Sequence, residues 1–160
     1  MERLYLDSSA IVKRYVEESG TPLLGDLYRA AEQESVLLQF SLWNVGEVLG
    51  VLDSYQRRGW IKESQHRQAV SNFAAETAKL VRLGTLNVLP VKHRYLLSTW
   101  ELIRLHHIYQ ADALQTVTAA ASNASALITA DKELQKASLK GGVPALHVES
   151  DETKIRAMIR

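Results

Sequence analysis

Short, nearly unbroken apolar runs alternate along the chain with longer stretches of helical spacing, and this alternation is the strongest constraint on its fold. Arg3-Leu4-Tyr5-Leu6, Val36-Leu37-Leu38-Gln39-Phe40-Ser41, Leu86-Asn87-Val88-Leu89-Pro90-Val91 and Ala126-Leu127-Ile128-Thr129 read as strands, the continuous ones buried on both faces. Such strands pair in parallel and need crossover helices to cover them. Apolar spacing of three and four predicts helices over 10–18, 22–33, from after Ser41 to the Arg57-Arg58-Gly59 stop, and over 62–83, 94–105, 110–122 and 132–139. Pro90 places the third strand's end near a sheet edge or a strand terminus. A last short strand is expected near 145–148, after the Gly141-Gly142-Val143-Pro144 turn. The expectation is an α/β fold: one domain over 1–149, a mainly parallel central sheet of about five strands with helices on both faces. The tail, 150–160, has helical spacing at Ile155 and Ile159.

Composition narrows the chemistry. A chain of 160 residues with 46% hydrophobic and 23% charged residues suits one globular domain with a sizeable core. With no cysteine there are no disulfides, thiolate zinc sites, iron–sulfur clusters or cysteine nucleophiles, which fits a cytoplasmic protein. The start, Met1-Glu2-Arg3-Leu4-Tyr5-Leu6-Asp7, lacks the pattern of a secretory signal. The uncharged stretch 113–130 is broken by Gln115, Thr116, Thr118, Ser122, Asn123, Ser125 and Thr129, so no membrane span is expected. A formal charge of +1 argues against a non-specific nucleic-acid coat protein, although a total charge does not exclude a local basic groove.

In an open α/β sheet the functional crevice lies outside the carboxyl ends of the strands. Asp7 follows the first strand directly and Asp131 follows the fourth. Glu47 lies early in the helix after the second strand, and Asp112 in the first turns of the helix before the fourth. All four acids are thus assigned to one edge of the sheet. Converging carboxylates repel one another unless a divalent cation supplies the opposite charge, and all-oxygen ligation suits Mg²⁺ or Mn²⁺. Ser8, Ser9 and Thr129 are placed to orient the carboxylates or bound water. Taken singly, each acid also fits a local role, as a helix cap or a first-turn residue favoured by the helix dipole. Glu47 among Val45, Val48 and Leu49, and Asp112 between Ala111, Ala113 and Leu114, sit in apolar company where an unsupported acid is costly.

Four segments together resemble the PIN-domain family. Leu4-Tyr5-Leu6-Asp7-Ser8-Ser9-Ala10-Ile11-Val12-Lys13 is similar to its opening motif, and Ser41 followed by Glu47 to its second. Tyr109 to Ala121, with Asp112 opening an Ala-rich helix, is similar to the third, and Leu127-Ile128-Thr129-Ala130-Asp131 to the fourth. Leu134 stands where the family often has an aromatic. Size and the absence of an appended domain make the chain look most like VapC toxins, the ribonuclease half of toxin–antitoxin pairs. The resemblance implies Asp7, Glu47, Asp112 and Asp131 as catalytic, metal-binding acids. It further implies an Mg²⁺- or Mn²⁺-dependent endoribonuclease, an RNA substrate, a VapB-like antitoxin covering the site and a homodimer. The helices at 10–18, 22–33 and 62–83 are candidate contact surfaces.

Two other readings are weighed. A haloacid-dehalogenase-type phosphatase also begins with a strand and Asp, but needs a second Asp where this chain has Ser9; a receiver domain needs an acidic pair before the strand's Asp, and only Glu2 is present. A non-catalytic RNA- or protein-binding module on the same fold would be free to lose one of the four acids. Lys13, Arg14, Lys132 and Lys136 are candidate phosphate contacts beside the acidic turns. His106-His107 is expected to be a polar helix end, since adjacent helical residues diverge. Trp43, Trp60 and Trp100 are expected to be packing residues rather than base-stacking ones. If the four acids gather around a metal, nineteen basic residues face only fourteen remaining acids, and near-neutrality hides an acidic pocket in a mildly basic surface.

Overall fold

A computed structural model describes residues 1–159. In chain order the elements are β1 (Glu2–Leu6), α1 (Ser8–Val12), α2 (Thr21–Glu32), β2 (Val36–Ser41), α3 (Leu42–Arg57), α4 (Glu63–Leu83), β3 (Leu86–Leu89), α5 (His93–His106), α6 (Gln110–Ala121), β4 (Ala126–Thr129), α7 (Lys132–Lys140), β5 (Ala145–His147) and α8 (Glu152–Met158). The strands form one all-parallel sheet in the order β3-β2-β1-β4-β5. The continuous apolar runs are therefore the buried strands, as their composition dictates. β1 is central, with Leu4 opposite Leu38 of β2 on one side and Ala126 of β4 on the other. The strand order reverses between β1 and β4, and the crevice outside their carboxyl ends is where such a sheet binds ligands. Pro90 lies just past β3, an edge strand, where its missing N–H breaks no ladder bond.

Alternation of side chains divides the core in two. Leu4 and Leu6 pack with α1–α4 and with Ile155 of α8, whereas Tyr5 and Leu127 face the other way, with Ala119 of α6 and Leu134 of α7. Helices cover both faces, and the C-terminal helix is docked: Ile155 is fully buried and Arg156 pairs with Asp26 of α2. Arg160, the last residue of the expected tail, lies outside the described residues.

The helix expected over 10–18 stops at Val12. Bonds from Arg14 N–H to Ile11 O (3.0 Å) and Tyr15 N–H to Val12 O (2.9 Å) tighten the chain out of α-helical register. This turns both side chains onto α4, where Arg14 grips Glu76 through two nitrogens (3.1 and 2.7 Å) and the Tyr15 hydroxyl donates to the same carboxylate (2.9 Å). The apolar spacing of Ile11 and Tyr15 was real, but it served packing rather than a continuous helix.

Candidate active site

Asp7 leaves β1 and caps α1: its Oδ1 accepts the Ala10 N–H (3.0 Å), and the Ser9 hydroxyl lies 2.9 and 2.8 Å from its two oxygens. The same Ser9 oxygen accepts the Ala130 N–H (2.8 Å) and sits 3.3 Å from Thr129 Oγ1, which accepts the Asp131 N–H (2.9 Å). Ser9 thus joins Asp7 to the turn that carries Asp131. On that turn's far side, His147 of β5 bonds through Nε2 to the Ala130 carbonyl (3.0 Å) while its Nδ1 accepts the Glu149 N–H (3.2 Å), a pattern that puts the proton on Nε2. Asp131 caps α7 through one oxygen only, Oδ1, which accepts from Glu133 and Leu134 N–H (2.7 and 3.3 Å). Asp7 is only 3% exposed, and burial pushes its carboxyl up to about 6 against the pull of the Ala10 and Ser9 hydrogen bonds.

Glu47 is held by a buried chain of amides. Tyr5 Oη (2.8 Å), Ser41 N–H (2.8 Å) and Ser41 Oγ (2.9 Å) all converge on Asn44 Oδ1, which fixes the orientation of that amide. Asn44 Nδ2 must then donate to Gln115 Oε1 (2.6 Å), and Gln115 Nε2 to Glu47 Oε2 (3.0 Å). Each link dictates the next, so the chain ends on Glu47 as an acceptor. Burial, partly offset by Ser41 and reinforced by the Asp7 and Glu47 carboxylates, pushes the Tyr5 hydroxyl well above its usual range and keeps it a donor. Replacing Gln115 with Leu strips a partner from a fully buried amide and from Glu47. It is expected to cost about 2 kcal/mol of stability, read by chemical denaturation; an unchanged midpoint would show that the chain carries no such weight.

Asp112, half-buried in the first turn of α6, is pushed up to about 6, first by burial and then by the negative charges of Asp131, Glu47 and Glu133. Asp112 therefore senses Glu47 and Asp131, while Tyr5 senses Asp7 and Glu47, so the acids are linked pairwise along the carboxyl edge. Among the described residues no three carboxylate or imidazole side chains form a ready cation cage.

Tyr5, Asn44, Gln115, Glu133 and His147 complete the surroundings and were not singled out from the sequence. Two left a trace there: Asn44 stands three residues after the Ser41 cap, in capping-box spacing, and Gln115 three residues after Asp112, on the same helix face. Ser8 lines a neighbouring cleft. Of the cations beside the acidic turns, Lys13 is buried and pairs with Glu18 (3.2 Å) and Glu149 (3.7 Å), Arg14 is taken up by Glu76, Lys136 pairs with Glu133, and Lys132 is exposed. The tryptophans overturn the packing expectation, with Trp43, Trp60 and Trp100 exposed at 45%, 63% and 61%. His106-His107 ends α5 as expected, His107 taking a left-handed cap conformation (φ 54°).

The chain's similarities concern its fold and its domain family. No curated protein sequence matches it. VapC20 of Mycobacterium tuberculosis, described as a sarcin–ricin-loop-cleaving toxin, superposes with a TM-score of 0.61 at 16% identity, over 84% of this chain and 94% of that one. PAE2754 of Pyrobaculum aerophilum gives 0.61 at 20% identity over 98% of each chain, and FitAcB of Neisseria gonorrhoeae 0.64 at 14% over 92% of this chain and 99% of its own. At such identities these likenesses speak for the fold. The domain match is direct: residues 4–140, a span that holds all four acids, match the PIN domain, and the chain belongs to that family.

Proposed function

We propose that this protein is a metal-dependent endoribonuclease hydrolysing RNA phosphodiester bonds, the toxin of a VapBC-type pair. The observation that carries the reading is Asp112, held half-buried against the negative charges of Glu47, Asp131 and Glu133 at the switch point of the sheet, in a family whose members are generally nucleases. An acid in that position raises its own electrostatic cost unless a cation offsets it. The donor set of Asp7, Glu47, Asp112 and Asp131 is all oxygen, which fits Mg²⁺ or Mn²⁺. When bound, such an ion activates water and neutralises charge building on a phosphodiester.

The protein's own residues do the positioning. Ser9 and the Ala10 N–H hold Asp7 in one orientation. The Gln115 amide aims Glu47 by donating to its Oε2. Helix capping by Asp131 uses only Oδ1, so Oδ2 is available, and capping orients this carboxylate without exhausting it. Lys132, next to Asp131 and exposed, is placed to meet a phosphate.

Purified protein is expected to cleave single-stranded RNA with Mg²⁺ or Mn²⁺, to stop in chelator, and to resume when the metal is restored in excess. Cleavage undiminished by chelator, or none with either ion, overturns the metal-dependent reading. A VapB-like antitoxin and a homodimer are the partners proposed, in the cytoplasm. Among the neighbouring structures, FitAB has been solved bound to a DNA fragment.

A further inference from the structure

We propose that the cleft between α1 and α3 is a subsite for an unpaired nucleotide flanking the scissile phosphate, with the Trp60 indole as its stacking surface and Arg58 as its phosphate contact. The inference rests on the nuclease reading of the neighbouring acids. The cleft, about 450 Å³, runs from Ser8, Ser9 and Ala130, beside the Asp7 and Asp131 turns, along α3 to Ser54, Tyr55 and Arg58. One end is thus the wall of the acidic site, and the other is basic and aromatic.

The two cations that the sequence places nearest Asp7 are not available at this wall. Lys13 lies buried between Glu18 and Glu149, and the Arg14 guanidinium is held bidentately by Glu76. Arg58 differs: it is exposed, and the described residues leave it without a carboxylate partner. Glu18, the one acid lining the cleft, is paired with Lys13, which it shares with Glu149. Arg58 is the cleft's cation with no carboxylate partner among the described residues.

Trp60 follows the left-handed Gly59 (φ 73°) that ends α3, and its backbone N–H donates to the Tyr55 carbonyl (2.9 Å). Its ring lies 5.2 Å from the Tyr55 ring at 54°, and the Arg58 guanidinium carbon sits 5.0 Å from its centroid. An indole 63% exposed yet fixed by backbone, ring and cation offers a base a surface with little ordering entropy left to lose. A guanidinium over one face of an exposed indole matches the phosphate and base of a nucleotide, the base meeting the ring on the part that Arg58 leaves uncovered, and only an unpaired base presents a free face for stacking.

The test is anisotropy of a short fluorescein-labelled single-stranded RNA, in chelator so that binding is read without cleavage. Trp60→Ala and Arg58→Ala are each expected to weaken binding about fivefold or more, and Arg58→Ala to lower the slope of log affinity against log salt by about one. Trp60→Phe, which keeps an aromatic face, should bind within about twofold of wild type. Arg57→Ala, whose side chain is paired with Asp53, should leave affinity and slope unchanged. Wild-type affinity and slope in both Arg58→Ala and Trp60→Ala, with the wild type still cleaving RNA, overturn the subsite and leave the nuclease reading standing. A wild type that neither binds nor cleaves RNA overturns both, and RNA affinity untouched while a protein partner is lost assigns the cleft to that partner instead.

Discussion

RNA cleavage is expected to fall at least about a hundredfold in Asp112→Asn, the scale on which one preorganised electrostatic group acts in an active site. The substitution keeps the shape of the side chain and removes one charge from a group that Asp131, Glu47 and Glu133 already repel. Removing that charge is expected to relieve the fold, and a melting temperature at or above that of the wild type separates lost cleavage from unfolding. Glu47→Gln is a companion with the same logic, since the new amide oxygen still accepts from Gln115 Nε2. Measured turnover within about tenfold of wild type in Asp112→Asn would remove this acid from the chemistry.

The second large effect is on stability and pH. Asp7 titrates at about 6 in the folded protein against 3.8 ordinarily. Below both values the folded and unfolded chains are equally protonated, and the favourable term is fully present. As pH rises through about 6 the folded state must ionise a buried carboxyl that the unfolded chain ionised earlier, and the term is lost. At about 1.4 kcal/mol per unit, the metal-free protein should be up to about 3 kcal/mol less stable at pH 7 than at pH 3 through Asp7 alone. Asp112 shifts in the same direction but, half-exposed, contributes less. Asp7→Asn should flatten this pH slope and raise the metal-free melting temperature at pH 7. Added Mg²⁺ should stabilise the wild type through binding to the native state, and the variant less. A variant that melts lower than wild type at every pH would show that the Asp7 hydrogen bond to Ala10 N–H, rather than its buried charge, governs the site.

The layer architecture was legible because strands buried on both faces cannot hide their composition: Val36 to Ser41 and Ala126 to Thr129 can hardly be anything else. Pro90 even marked the edge strand. The acids at the strand ends were legible for a related reason, since Asp7 and Asp131 begin helices directly after strands and lie at the carboxyl edge by topology alone. What stayed hidden was side-chain pairing across long separations. Nothing local in Asn44 or Gln115 announces that the two amides meet, nor that Tyr5 meets Asn44 across 39 positions. The early end of α1 was hidden likewise, because it depends on Glu76 of α4 drawing Arg14 and Tyr15 out of the helix. The exposure of the tryptophans could not be read either, as apolar bulk says nothing of which side of a helix end it falls on.

The place of β1 in the middle of the sheet governs when, as well as where, the acidic site is completed. It is made before either strand that flanks it, its second edge is closed by β4, and the Ser9 contact to Thr129 spans 120 positions. At ordinary elongation rates this separation takes on the order of ten seconds to make. Throughout that interval Asp7 has neither Thr129 nor Asp131 beside it, and one flank of β1 is unpaired. The surroundings of Asp7 thus stay incomplete until β4 and the turn after it have emerged, and that waiting edge, rather than the finished surface, is where misfolding would begin.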